Sequence, residues 1–147
     1  MTELASSAWA GASGFLVDTN VLLDVATGDS IWSDWSAEVL ARSIRSGPVY
    51  INPLIYAEVS VGYAGIEELD EQIPAGILRR VPLPYAAGFL AAKAHRSYRR
   101  RGGSRIATLP DFYIGAHAVV AGLTLITRDA RRYRTSFPTL RLIAPTA

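Results

Sequence analysis

Short apolar segments alternate with longer segments of helical pattern along most of this 147-residue chain. The strand-like segments are "GFLVD", "PVYIN", "LTLIT" and "LRLIAP". Such alternation predicts an α/β fold whose strands form a parallel sheet covered by helices on both faces. In sheets of this kind ligands bind beyond the carboxyl ends of the strands. The residues that follow each strand are therefore the first candidates for function.

The segments between the strands predict helices with recognisable starts and ends. "SIWSDWSAEVLARSIRSG" carries apolar residues on one side and ends in glycine, and "PLIYAEVSVGYAG" begins with proline. The loop "GGSRIATL" is expected between the last two long helices. The other predicted helices are "IEELDEQIPAGILRR", interrupted at Pro74, "PYAAGFLAAKAHRSYRRRGG", "LPDFYIGAHAVVAG" and "RDARRY".

The size and composition of the chain favour one domain in a reducing compartment. Half of the residues are hydrophobic, and we expect a single domain over residues 15–147. Residues 1–14 lack a basic region and a sustained apolar stretch, so a mobile tail is expected rather than a signal peptide. The absence of cysteine excludes disulfides and thiolate metal sites. No run reaches the roughly 20 apolar residues of a membrane span, so we expect a cytoplasmic protein.

The net charge of +2 conceals a strong asymmetry between the two halves of the chain. Residues 1–78 contain two arginines and eleven acidic residues, whereas residues 79–147 contain thirteen basic residues and two acidic ones, Asp111 and Asp129. Guanidinium groups match the geometry of phosphate, so the basic half predicts a surface for a polyanion such as RNA. A solvated basic face explains the composition equally well.

Asp18 interrupts "FLVDTNVLLDV", an apolar and otherwise strand-like run, at the end of the first predicted strand. A buried ionised carboxylate needs a partner, and no lysine or arginine precedes Arg42. The partner is therefore distant in the sequence or is not part of the protein. The aspartate of "DTN" can also cap a following helix, but its position deep in an apolar run favours a functional role.

Three further acidic residues are candidates for the same edge of the sheet. Asp129 follows the strand "LTLIT". Glu58 is predicted to share an apolar helix face with Ile55 and Val61, and Asp111 to lie in the first turn of a helix on its apolar side. Each has a structural alternative, because Asp111 and Asp129 can be helix N-caps or partners of the helix dipole, and Glu58 can be half exposed at the edge of its helix.

Taken together, Asp18, Glu58, Asp111 and Asp129 predict a metal site. Two bare carboxylates about 4 Å apart repel each other by about 4 kcal/mol at an effective dielectric constant of roughly 20. A pocket that collects all four must therefore bind protons or a cation. Oxygen ligands suit Mg²⁺ or Mn²⁺, whereas zinc prefers the cysteines that this chain lacks. Such an ion in an arginine-rich surround favours phosphodiester hydrolysis by a metal-activated water.

Four segments in order resemble the PIN-domain nucleases, and their order and sequences are most similar to the VapC-type toxins of bacterial type II toxin–antitoxin systems. The segments are "FLVDTNVLLD", "INPLIYAEV", "LPDFYIGAHA" and "LTLITRDARRY". The resemblance covers nearly the whole chain from Phe15 onward. It implies a three-layer α/β/α fold with a central, mostly parallel sheet flanked by helices.

The same resemblance implies a Mg²⁺- or Mn²⁺-dependent endoribonuclease toxin that forms a homodimer and is held inactive by a cognate antitoxin protein. It assigns the family's catalytic and metal-binding acids to Asp18, Glu58, Asp111 and Asp129. It also implies that two neighbouring polar groups orient a ligand, a water molecule or a phosphate, namely Asn20 and Thr127.

The segment "RSYRRRGGSR" places a group of arginines just before the helix of Asp111. One or two arginines at a helix end are explained by the negative C-terminal dipole, but this segment holds more than that role requires. The residues predicted to bind the RNA backbone are Arg99, Arg100, Arg101 and Arg105.

Two other function classes stay open. A phosphoacceptor or phosphatase domain with Asp18 as the phosphorylated residue would need a functional lysine, and the only lysine, Lys93, lies within a predicted amphipathic helix. A non-catalytic RNA-binding module with a structural metal ion would bind RNA without cleaving it.

The histidines and the large aromatic residues have ordinary structural interpretations. His95 and His117 are expected to be surface or packing residues, since His117 faces away from Asp111 on its helix. Four aromatic residues are expected in the core, with a groove for a partner helix as the alternative, namely Trp32, Trp35, Tyr56 and Tyr63.

Overall fold

The computed structural model describes residues 8–102 and 107–146. Within these residues the chain forms strands β1 (Phe15–Val17), β2 (Val49–Ile51), β3 (Leu78–Arg80), β4 (Thr124–Ile126) and β5 (Leu142–Ile143). The helices of the same residues are α1 (Thr19–Thr27), α2 (Ser33–Ser46), α3 (Pro53–Ser60), α4 (Ile66–Gln72), α5 (Tyr85–Arg100), α6 (Leu109–Ala121) and α7 (Ala130–Ser136).

All the strands belong to one parallel sheet with the order β3-β2-β1-β4-β5. Phe15 of the central strand pairs with Val49 on one side and with Thr124 on the other. The chain therefore winds outward from β1 in one direction and then from β4 in the other. The carboxyl ends of β1 and β4 meet where the direction reverses, which is the position at which such sheets form a ligand crevice. The predicted α/β/α architecture is confirmed.

The core contains the inner strands and the buried sides of the helices around them. Phe15, Leu16 and Val17 of β1 are fully buried, as are Leu125 and Ile126 of β4. Buried apolar side chains of this size each stabilise the fold by roughly 1.5–3 kcal/mol. Such burial fixes the ends of the two central strands, and thereby the position of the residues that follow them.

Two elements differ from the sequence prediction. Thr19–Thr27, for which no element was predicted, forms helix α1, because Asp18 caps the helix and the left-handed Gly28 (φ 64°) ends it. Leu78–Arg80, expected in a helix, forms the edge strand β3, where only Leu78 is buried. Strand β3 is too short and too exposed to show the alternating pattern by which strands are recognised.

The N-terminal segment contacts the core ahead of the first strand. The indole N–H of Trp9 donates a 2.9 Å hydrogen bond to Ser43 Oγ, and the guanidinium of Arg42 lies 4.0 Å from the centre of its ring. Part of the segment that was expected to be a tail therefore packs against α2. Residues 1–7 of that segment lie outside the described residues.

His117 has the packing role that was expected for it. It is buried on α6 and accepts a 3.0 Å hydrogen bond at Nδ1 from the side-chain amide of Asn52, whose oxygen caps the N-terminus of α3 at Ile55. Burial lowers the pKa of His117. Among the described residues, none of the helices combines the length and apolar character required to cross a bilayer.

Candidate active site

Asp18 lies at the carboxyl end of β1 and is buried, with 5% of its surface exposed. Its Oδ1 accepts a 2.8 Å hydrogen bond from the backbone N–H of Thr19. Its Oδ2 accepts from the hydroxyls of Thr127 and Tyr133, each at 2.9 Å, and from the amide of Asn20 at 3.4 Å. The distant partners of Asp18 at 2.9 Å are the hydroxyl groups of Thr127 and Tyr133 rather than cations.

Burial raises the pKa of Asp18. The hydrogen bonds from Tyr133, Thr127 and the Thr19 backbone oppose this rise, as does the positive charge of Arg132. Since the pKa remains raised, these contacts do not fully compensate the carboxylate for the loss of water. A cation close to Asp18 would supply the missing compensation.

Asn20 and Thr127 connect Asp18 to the loop that follows β4. The amide of Asn20 lies 3.4 Å from Thr127 Oγ1, and its carbonyl accepts from the backbone N–H of Arg128 at 3.3 Å. Thr127 Oγ1 also accepts from the backbone N–H of Asp129 at 3.1 Å. The two polar residues implied by the resemblance therefore lie beside Asp18 and hold the two carboxyl ends together.

Asp111 occupies the first turn of α6, where it forms a capping box. Its Oδ2 accepts from the backbone N–H of Thr108 at 2.9 Å and from the Thr108 hydroxyl at 3.1 Å. The N-cap itself is Thr108, and Asp111 has the alternative role of an acid in the first turn that supports the helix N-terminus. Its other oxygen, Oδ1, lies 3.2 Å from Nη1 of Arg132. One carboxylate oxygen serves the helix and the other faces the site.

Asp129 lies at the N-cap position of α7 but makes no capping hydrogen bond through its side chain. Its Oδ2 is 3.6 Å from Nη2 of Arg132, which lies one turn further along the same helix. The side chain of Asp129 is 44% exposed. The helix-cap interpretation therefore does not account for this carboxylate.

Two of the four predicted acids, Asp111 and Asp129, form ion pairs with the guanidinium of Arg132. Burial lowers the pKa of Arg132, but the negative charges of Asp111, Tyr133, Asp129 and Asp18 outweigh burial and raise it. The pKa of Tyr133 is raised by burial and by Asp18, with a further contribution from Asp111. Asp18 contacts Tyr133 and Asp111 contacts the adjacent Arg132, so α7 links the two carboxylates.

Glu58 reaches this cluster through one contact, a 2.5 Å hydrogen bond that it accepts from the hydroxyl of Thr19. The prediction that Glu58 lies on the apolar face of its helix is wrong. α3 buries Ile55 and Val59 instead, whereas Glu58 is exposed and Val61, which follows the end of the helix, is 88% exposed. Glu58 therefore borders the site from its solvent side.

The donor set fits a hard divalent cation in its chemistry, because it consists of carboxylate and hydroxyl oxygens. Nevertheless, within residues 8–102 and 107–146 no group of three or more histidine, aspartate or glutamate side chains is arranged to hold a metal ion. In this arrangement Arg132 supplies the positive charge between Asp111 and Asp129. The carboxylates and hydroxyls of the site fit a divalent cation, and the guanidinium of Arg132 lies beside two of the carboxylates.

Sequence reasoning missed the residues that organise this site, above all Arg132 and Tyr133. Both lie in "RDARRY", one turn after Asp129, and this helical spacing was the available signal. It also missed the buried Asp24, which accepts from Arg128 Nε at 2.7 Å and Nη2 at 2.8 Å. Asp24 was visible as a second acid within the apolar run of Asp18.

The predicted RNA-binding arginines lie at the end of α5. Arg99 and Arg100 occupy its last turn and Arg101 is its C-cap, and all three are exposed. Arg105 lies outside the described residues. Their role in binding RNA remains a prediction.

A family model of the PIN domain matches residues 15–138. This chain belongs to the PIN domain family. Among curated proteins, none matches this PIN domain significantly in sequence.

Several solved structures share the fold of this PIN domain. VapBC2 from Rickettsia felis bound to a DNA fragment of its promoter matches with a TM-score of 0.69 and 18% identity, over 90% of this chain and 98% of that chain. A toxin–antitoxin complex from Klebsiella pneumoniae matches with a TM-score of 0.67 and 20% identity, over the same shares. FitAcB from Neisseria gonorrhoeae matches with a TM-score of 0.58 and 21% identity, over 88% and 96%. At these identities the similarity concerns the fold.

Proposed function

We propose that this PIN domain is a metal-dependent endoribonuclease that cleaves cellular RNA in the cytoplasm, and that it is the toxin of a toxin–antitoxin pair. The observation that carries the proposal is that the adjacent residues Arg132 and Tyr133 of α7 contact three acids of a chain of this family. These acids are Asp18 at the end of β1, Asp129 after β4 and Asp111 in the first turn of α6. The basic second half of the sequence supports a polyanionic substrate.

Asp18 and Asp111 would hold Mg²⁺ or Mn²⁺, with Asp129 and Glu58 at the open side of the site. When bound, such an ion polarises the phosphate and lowers the pKa of a water that attacks in line. Thr127 and Asn20 fix the orientation of the Asp18 carboxylate through their hydrogen bonds. Tyr133 shields the same carboxylate from water on the side of the core.

The proposed partners are a cognate antitoxin and a second copy of the chain. The similar structures include VapBC2 and a toxin–antitoxin complex, which supports the antitoxin. Trp32 and the 73%-exposed Ile31 offer apolar surface at the start of α2, near the end of α1. Hydrogen exchange with and without the protein encoded beside this one tests the partner, and absence of protection in residues 31–64 would exclude this surface.

The nuclease proposal is tested by incubating the purified, antitoxin-free protein with total cellular RNA, with and without Mg²⁺, and mapping new 5′ ends. We expect new ends that depend on Mg²⁺ and that disappear with Asp18→Asn. Binding without cleavage would instead identify the non-catalytic RNA-binding module.

The phosphoacceptor alternative has little support. The only lysine, Lys93, is exposed on α5, and its ammonium lies 5.1 Å from the centre of the Phe89 ring. Incubation with a small phosphodonor such as acetyl phosphate would detect phosphorylation of Asp18 if that alternative held.

A further inference from the structure

The guanidinium of Arg132 stands where a cation would approach Asp111. Because Asp111 Oδ2 accepts two hydrogen bonds from Thr108, Oδ1 is the oxygen left for another ligand. Nη1 of Arg132 lies 3.2 Å from that oxygen. A metal ion that binds Asp111 through Oδ1 must therefore compete with Arg132 for the same atom.

The same side chain also faces a second carboxylate of the cluster. Nη2 of Arg132 lies 3.6 Å from Asp129 Oδ2, and three quarters of the Arg132 side chain is buried, since 25% is exposed. The adjacent Arg131 is exposed and makes no ion pair within the described residues. The counter-ion contact thus belongs to one specific arginine of α7 rather than to its basic composition.

We propose that Arg132 is a built-in counter-ion of the acidic cluster, which neutralises Asp111 and Asp129 in the metal-free protein and must release Asp111 when a divalent cation binds. This inference rests on the proposed metal-dependent function. A guanidinium and a divalent ion beside the same carboxylate oxygen repel each other, and each lowers the repulsion among the carboxylates. Arg132 therefore keeps the metal-free site folded and raises the metal concentration at which the site fills.

Two effects of removing Arg132 follow, and they have opposite signs. In Arg132→Gln the metal-free protein should unfold at a lower temperature, because the carboxylates lose their counter-ion. Its affinity for Mn²⁺ should rise about tenfold, because the ion pair that competes for Asp111 is lost. A salt bridge with a purely structural role would give the first effect without the second.

The test is calorimetric titration of RNA-free protein with Mn²⁺ alone, for the wild type, Arg132→Gln and the matched control Arg131→Gln. Circular dichroism verifies that each variant is folded. Tighter Mn²⁺ binding in Arg132→Gln, without a change in Arg131→Gln, supports the proposal. Equal or weaker binding in Arg132→Gln overturns it while leaving the metal-dependent function intact. Absence of Mn²⁺ binding in all three proteins contradicts both the metal dependence and this inference.

A measurement on the wild-type protein keeps the proposal testable if Arg132→Gln does not fold. The Nε–Hε signal of Arg132 can be followed by NMR during titration with Mg²⁺, which is not paramagnetic. Loss of the contact with Asp111 should shift this signal in parallel with saturation, while that of Arg131 stays constant. An Arg132 signal that does not move during saturation would overturn the competition.

Discussion

The hydroxyl of Tyr133 donates a 2.9 Å hydrogen bond to the buried carboxylate of Asp18, across 115 positions of sequence. Tyr133 reaches Asp18 because α6 and α7 approach closely at Gly115. A Cβ at Gly115 would lie 2.5 Å from Cε2 of Phe137 and 2.9 Å from Cδ1 of Tyr133. Because Gly115 has no side chain, Tyr133 can pack against α6 and place its hydroxyl beside Asp18.

Gly115→Ala is expected to destabilise the protein and to displace Tyr133 from Asp18. The added methyl overlaps Phe137 and Tyr133, and overpacking of this kind costs about 1–3 kcal/mol. Urea unfolding measures the loss. Gly76→Ala is the matched control, because nothing lies within 4 Å of the added methyl, and it should leave the free energy of unfolding unchanged or slightly higher. Equal stability of Gly115→Ala and the wild type would contradict the close packing of α6 and α7.

Asp18→Asn and Asp111→Asn are expected to abolish cleavage but to differ in stability. A neutral side chain at position 18 removes the cost of burying a charge, so the melting temperature of the metal-free protein should not fall. Asp111→Asn weakens a capping box and an ion pair, which should cost about 1 kcal/mol. Thermal melts in a chelator measure both. A large drop for Asp18→Asn would show that the fold depends on the charged carboxylate of Asp18, contrary to this expectation.

The sheet and the acidic edge were accessible from the sequence, because the burial of short apolar strands and the positions of Asp18 and Asp129 after two of them are local signals. The exceptions have physical reasons. β3 lies at the sheet edge, and because only Leu78 of this strand is buried, its sequence lacks the alternation of apolar and polar residues that predicts a strand. α1 begins at a cap that is itself buried, so its sequence resembles the strand that precedes it. The metal-site prediction omitted Arg132, because only tertiary structure brings α7 against Asp111.

Arg128→Met is expected to destabilise the fold strongly by stranding a buried charge. Asp24 is 2% exposed, and among the described residues its side chain would retain only the 2.8 Å hydrogen bond from Ser36 Oγ. Breaking a buried pair costs about 3–5 kcal/mol, and we expect the lower end because the Arg128 side chain is 33% exposed. Urea unfolding measures the loss. Asp24→Leu combined with Arg128→Met should recover most of it; additive losses in the double variant would contradict a buried ion pair as the cause.

His117 should make the protein less stable as the pH falls below about 6.5. Burial lowers the pKa of His117 in the folded state. Just below pH 6.5 the unfolded chain therefore binds a proton that the folded protein resists, and stability decreases as the pH falls toward the folded-state pKa. In this window the slope of the unfolding free energy against pH should be shallower in His117→Gln, by at most about 1.4 kcal/mol per pH unit. His95→Gln is the control, and equal slopes for the wild type and His117→Gln would contradict a buried neutral imidazole.

The exposed arginines at the end of α5 give the last prediction, which concerns RNA. If Arg99, Arg100 and Arg101 contact phosphates, each lost contact lowers the slope of log affinity against log salt by about 0.7 for a single strand. The triple change to serine, in an Asp18→Asn background that does not cleave, should therefore lower the slope by about 2. Sequence preference should persist, because phosphate contacts position the strand whereas bases are read elsewhere.

The measurement is RNA affinity across a salt series, with Arg79→Ser on the exposed edge strand β3 as the control for loss of general positive charge. This control should change the slope little, because an arginine that does not touch RNA releases no condensed counterion from it. The arginines lie on α5, which packs against α6, the helix that carries Asp111. An RNA strand held by these arginines would therefore lie next to the proposed site. An unchanged slope in the triple variant would mean that these arginines do not touch phosphate and that the basic half of the chain is a solvated face.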